Sequence, residues 1–290
     1  MYKAIAANKR NTVIVMAVFF LIIAVLSWIS AVYLDGGWSV SVMIFAIAIS
    51  YAGFQYFMAG RIAMSINGAH EIEKKDNPAL WNVVENLTIT EGMPMPRVFV
   101  IEDRAPNAFA TGRNPKHAMV AVTTGLLEIM DKRELTAVMA HELGHIKNYD
   151  ILVATIVFGL VSVISLICDI VLRVTFFSDS RDKNPIFSIV GLIAAMISPI
   201  IATLTQLAIS RQREYLADAT AALTTTDSDA MIMALEKLKE YGRPMRVENA
   251  STSHLFINNP LKPGFFSKVF STHPPIDDRI KRLQNNSGGM

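Results

Sequence analysis

The sequence predicts an α-helical membrane protein: four transmembrane helices in two hairpins, holding a mainly α (α+β) polar domain with a small β-sheet. Three observations predict it. Hydrophobic residues make up 52% of the 290 positions and charged residues 18%, against roughly 45–50% and about 25% in soluble proteins. The mean hydropathy is positive, at +0.36, and the apolar residues lie in blocks. The polar remainder falls in two segments that the spans return to one face of the membrane.

Four stretches carry no charge over a span's length: Asn11 to Leu34, Gly36 to Gly60, Ile151 to Cys168 and Asn184 to Ser210. A membrane-crossing helix needs about 20 mostly apolar residues, so the third is short and is expected to run past Asp169 toward Val174. Buried helices of a soluble core would show a polar stripe, and these do not. The first apolar stretch exceeds the roughly 7–15 residues of a signal-peptide core and lacks a small-x-small cleavage site, so it reads as a retained anchor. Lys3, Lys9 and Arg10 place the N-terminus in the cytoplasm. The expected organisation is a hairpin over 1–60, a first peptidase segment over 61–150, a second hairpin over 151–210 and a second segment over 211–290, both polar segments being cytoplasmic. Arg173, Arg181 and Lys183 in the external loop run mildly against that orientation.

Within the polar domain, Asn77 to Thr90 is expected to be a helix opened by Asn77-Pro78. Arg97 to Ile101 and Ala118 to Thr123 read as strands, and the segment Pro106 to Gly112 between them reads as a turn. Asp131 to Lys147 is expected to be a helix with an aspartate cap. Arg211 to Leu223 and Ser228 to Gly242 are further helices, the latter capped by Ser228 and stopped by Gly242. Residues 285–290 look like a frayed tail.

The net charge of +2, without a basic patch, excludes nucleic acid as a partner. Cys168 is the only cysteine, so no intramolecular disulfide or cysteine-based metal cluster can form. The asparagines of Asn86-Leu87-Thr88, Asn249-Ala250-Ser251 and Asn285-Asn286-Ser287 lie on the expected cytoplasmic side, where glycosylation does not occur.

The sharpest signal is His141-Glu142-Leu143-Gly144-His145 inside a predicted helix. Residues four apart share a helix face, so both imidazoles can reach one zinc ion, with Glu142 offset as a general base. A catalytic zinc needs a third protein ligand and an open position. The better candidate is Glu214, in Ser210-Arg211-Gln212-Arg213-Glu214-Tyr215-Leu216-Ala217-Asp218; Asp218 shares its helix face, so one carboxylate can bind zinc and the other can accept a hydrogen bond from a ligating histidine. Alone, these acids would be surface residues paired with Arg211 and Arg213. Their place just after the returning span, on the same side of the membrane as the H-E-x-x-H helix, favours the metal.

These motifs, taken in order, resemble the HtpX-type membrane metalloproteases, relatives of the CAAX prenyl proteases within the glutamate-ligand zincins. The resemblance covers nearly the whole chain and includes Asn107-Ala108-Phe109-Ala110-Thr111-Gly112 and Ser271-Thr272-His273-Pro274-Pro275 followed by Arg279. It implies a zincin-like peptidase holding one Zn2+ through His141, His145 and Glu214, with Glu142 catalytic and Asp218 behind the ligands. It also implies that His273 and Arg279 steady the oxyanion, and that Asn107, Ala108, Phe109 and Ala110 lie on an edge strand that takes an extended substrate. The substrates implied are damaged or misfolded membrane proteins at the bacterial cytoplasmic membrane, since four spans leave little room for the chamber of the CAAX branch. A processing protease for lipid-modified peptides, and a scaffold with a structural zinc closed by four ligands, are the alternatives. Arg243 to Lys268, with its prolines, could form a lid.

Overall fold

The computed structural model describes residues 10, 13–21, 23–25, 27–28, 37–157, 159, 211–247, 252–262 and 274–287. The fourth expected span and most of the third lie outside the described residues. A helix, α1, runs Gly37–Ile66 and is long and apolar enough to cross a membrane. At about 1.5 Å per residue its length exceeds the roughly 30 Å hydrocarbon layer. The sequence places its end near Gly60; it continues because Ala59, Ala63 and Met64 are buried against the polar domain. Nearer its start, Trp38, Met43, Ile47, Phe54 and Phe57 are exposed, a surface that suits lipid far better than water. An apolar helix over Val13–Val25 contributes Val15, Phe19 and Ile23 to a cluster with Ala48 of α1 and with Val153, Ile156 and Val157. The helices over the first two expected spans thus pack against the start of the third expected span.

The sheet has four strands in the order β1 (Ala69–Glu71), β2 (Arg97–Ile101), β4 (Ala118–Thr123) and β3 (Ala108–Gly112). β2 and β4 are parallel, and β1 and β3 run antiparallel to their neighbours. Pro106 to Gly112, a turn by its composition, is largely an edge strand. Its alternating side chains explain why: Ala108 and Ala110 face one core and Phe109 the other. The same alternation puts Val98, Val100, Val120 and Val122 against α2 (Pro78–Glu91) and α4 (Lys132–Lys147), and Phe99, Met119 and Ala121 against the end of α1.

α2 begins at the Asn77 cap, whose side chain accepts from Leu80 N–H, and stops at Gly92, which has φ 62. A short helix, α3 (Thr124–Ile129), follows β4. α4 starts in a capping box in which Asp131 and Glu134 each accept the other's backbone N–H; Lys237 donates to the buried Glu134 at 2.7 Å and anchors that end. Arg211–Thr225 forms α5 and Ser228–Glu240 forms α6. The cap of α6 is Asp227 rather than Ser228, because its carboxylate accepts from Ala230 N–H while also pairing with Arg133. The helix ends at Glu240, with Tyr241 rather than the expected Gly242 as its C-cap. The chain from Ile276 to Ser287 is a helix, α7, so residues 285–287 are not a frayed end. α4 lies at the centre, packed by α2, α5, α6 and β3.

Candidate metal centre

The inner face of α4 carries His141 and Glu142, which are 0% and 2% exposed. His145, one turn on, opens toward solvent. α5 crosses α4 closely at Gly144, where an added Cβ would stand 3.8 Å from the Ala217 Cα. That approach delivers Glu214 and Asp218, four residues apart on one face, to the two histidines.

Nε2 of His141 and Nε2 of His145 are 3.1 Å apart. The Glu214 carboxylate reaches them at 3.6 and 3.5 Å. Ligand atoms held about 2.0–2.1 Å from a tetrahedral zinc stand roughly 3.3 Å from one another. The three side chains therefore already have the spacing of a metal-binding triangle. Hydrogen bonding points the same way. His141 Nδ1 lies 2.9 Å from Asp218 Oδ1, and His145 Nδ1 lies 3.0 Å from Asp150 Oδ2. A carboxylate can only accept, so each Nδ1 carries a proton, and once its Nε2 is deprotonated each ring turns a lone pair inward. Two lone pairs facing each other beside a carboxylate call for a cation between them. The fit to a divalent metal is good.

Charge tells the same story. Burial opposes protonation of both histidines, yet the surrounding carboxylates outweigh it: His141 is shifted up, and Glu214, Asp150 and Glu142 push His145 up to about 9. Asp218 is 2% exposed; burial would raise it, but Arg279 and His141 hold it down to about 2. Arg279, wholly buried, donates to Asp218 through Nε at 2.8 Å and Nη2 at 2.6 Å. Its Nη2 is also 3.5 Å from His141 Nδ1, while its Nη1 is buried with no hydrogen-bond partner among the described residues.

A cleft opens onto Glu142, His145 and Glu214, walled by Ala110 of β3, Ile151 and His254. Arg279 stands behind Asp218 rather than on this cleft. His273 lies outside the described residues; Pro274, next to it, is buried. Of the expected substrate-binding residues, Ala108, Phe109 and Ala110 lie on edge strand β3. The edge over 107–109 is paired with the chain's own residues 256–258: Ile257 N–H donates to Ala108 O at 2.9 Å, and the Asn107 amide bonds to both backbone groups of Asn258. Sequence reading missed Asp150 and Arg213. Their one signal was an acid just past the H-E-x-x-H helix, at the mouth of an apolar stretch.

A central H-E-x-x-H helix, closed by a glutamate from a second helix and flanked by a small mixed sheet, defines a zincin-like metallopeptidase domain. A profile of peptidase family M48 matches residues 74–287. Proteins named Protease HtpX homolog are 52% identical in Tropheryma whipplei (strain Twist), over 98% of both chains, and 44% identical in Streptococcus pneumoniae (strain Hungary19A-6), over 98% of this chain and 99% of that one. The crystal structure of S. mikatae Ste24p superposes with a TM-score of 0.50 at 21% identity, covering 93% of this chain and 61% of that one, a likeness of fold. The chain belongs to peptidase family M48. It is a metalloprotease whose substrates are polypeptides.

Proposed function

We propose that this chain is a zinc endopeptidase with four membrane spans, its hairpins over 1–60 and 151–210 holding a peptidase domain built from 61–150 and 211–290 on the cytoplasmic face of the bacterial cell membrane. The observation that carries the zinc reading is the triangle of His141 Nε2, His145 Nε2 and Glu214, with edges of 3.1 to 3.6 Å. Those three residues would hold the ion and leave a position open toward the cleft. Zinc bound there would supply a Lewis acid that polarises a carbonyl and eases deprotonation of a water.

The remaining roles belong to side chains. Glu142, at the cleft beside the ligands, takes a proton from the attacking water and passes it to the leaving nitrogen. Asp218 holds His141 in the tautomer that turns Nε2 inward, and Arg279 holds Asp218. His273 is the donor for the oxyanion, and Arg279, which does not line the cleft, acts through Asp218. The edge of β3 from Asn107 to Ala110 takes the substrate as an added strand.

Misfolded or damaged membrane proteins are the substrates this arrangement favours. Ile151 and Ala154, which wall the cleft, belong to the helix that starts the third span, so cleavage occurs next to the bilayer. Purified protein in detergent should cut unfolded casein, stop with a chelator and recover with added Zn2+. Cleavage confined to prenylated peptides would support the processing alternative. In a Cys168→Ala background, labelling of Lys75→Cys and of Glu128→Cys from the cytoplasmic side only is the expected topology result.

A further inference from the structure

His145 Nδ1 has a partner outside the motif. Asp150 follows α4 by three residues and would point away if the helix continued. Instead the chain turns at Asn148 and Tyr149, where Tyr149 adopts φ 62, a left-handed conformation uncommon for a bulky residue. The turn brings Asp150 back to within 3.0 Å of His145 Nδ1. Arg213 of α5 places its Nε 3.6 Å from the other Asp150 oxygen. The trio repeats the order Arg279, Asp218, His141 on the opposite side of the metal triangle. One arm is sealed. The other borders the cleft, with side chains 10 to 14% exposed.

We propose that Asp150, braced by Arg213, is a positioning residue that fixes the tautomer and direction of His145 toward the metal. This rests on the zinc reading above. Removing such a partner lowers metal affinity by about 10–100-fold. In a competition titration with a chromophoric chelator, Asp150→Ala should weaken Zn2+ binding by that factor, and Asp150→Asn, which keeps an accepting oxygen, should recover part of it. Arg213→Ala should lie between the parent and Asp150→Ala. A purely structural role would lower thermal stability in saturating Zn2+ and leave the affinity unchanged. Equal Zn2+ affinity in parent and Asp150→Ala, or in parent and Arg213→Ala should the first fail to fold, overturns the proposal. A parent that binds no Zn2+ overturns the zinc reading instead.

A separate feature concerns the edge of β3. Phe256 forms an antiparallel bridge with Phe109, their rings 4.7 Å apart. Leu255, Phe256 and Ile257 are all buried, and His254 and Leu255 reach the cleft beside Glu142. An edge strand offers one row of backbone groups, and here Phe256 and Ile257, just past the 3-10 turn over Ser253–Leu255, already use part of it. The geometry points to residues 256–258 as a built-in occupant of the substrate edge, which an incoming extended apolar segment replaces in the same antiparallel sense. This rests on the peptidase reading.

Ala108→Cys with Ile257→Cys, in a Cys168→Ala background, would tie the two strands together. The oxidised form should lose cleavage of casein and regain it on reduction; equal cleavage in both states overturns the proposal. Should the pair be inactive in both states, hydrogen exchange decides. In Glu142→Gln protein, saturating casein should speed exchange across 252–262, and unchanged or slower exchange there overturns it. Failure of the parent to cut at all would tell against the peptidase reading.

Discussion

The Arg279 guanidinium grips the Asp218 carboxylate through two nitrogens, at 2.6 and 2.8 Å, with both side chains sealed from solvent. Breaking a buried pair leaves an uncompensated charge, which costs about 3–5 kcal/mol. Asp218→Ala should destabilise the zinc-loaded protein by that order in chemical unfolding. Arg279→Lys, which keeps the charge but loses the fork, should cost less.

Metal and protons compete for the two histidines. Because the carboxylates shift His141 up and push His145 up to about 9, the metal-free site holds protons that binding must release. Zn2+ affinity should therefore climb as pH rises toward 9. In metal-free protein the sign is reversed: a raised histidine contributes stability fully below its unfolded value near 6.5, and that contribution fades as pH rises through about 9. Chelator competition and thermal unfolding, each run from pH 6 to 9, check both.

The crossing of α4 and α5 tolerates little more bulk. A Cβ on Gly144 would make ordinary contacts with Thr220 and Ala217 at 3.7 to 3.8 Å, so Gly144→Ala should be neutral or stabilising by up to about 1 kcal/mol. Gly144→Val should push α5 outward, move Glu214 and cut Zn2+ affinity. Equal affinity in the two variants would contradict this account of the crossing.

Thr155, on the helix at the start of the third expected span, couples that helix to the edge strand: its hydroxyl bridges Gly112 N–H at 3.2 Å and Gly112 O at 3.1 Å. Thr155→Val should cost about 1–3 kcal/mol and, by loosening β3 at the cleft, raise KM for casein more than it lowers kcat.

Much of this arrangement was legible because it is local. The caps at Asn77 and Asp131, the strands at 97–101 and 118–123 and the spacing of His141 and His145 are all written within a few residues of one another. Glu214 needed a topological argument to bring α5 to α4, and Asp218 came with it through the four-residue repeat. What stayed hidden depends on tertiary contact. The turn-like composition of 106–112 hides its strand from any local reading, because pairing with β4 overrides local preference; only the family resemblance placed an edge strand there. Asp150 reaches His145 only through a left-handed tyrosine, which no spacing rule anticipates. The pairing of Phe256 with Phe109 links residues far apart in the chain, and nothing near either one signals it.

The most direct test of the central claim compares the purified parent with Glu142→Gln, measuring zinc per chain and cleavage of casein side by side. The account predicts about one zinc in each, as a three-ligand site requires, with cleavage by the parent alone. Two proteins that both hold zinc and cut equally well would contradict it, because Glu142 would then not be the base.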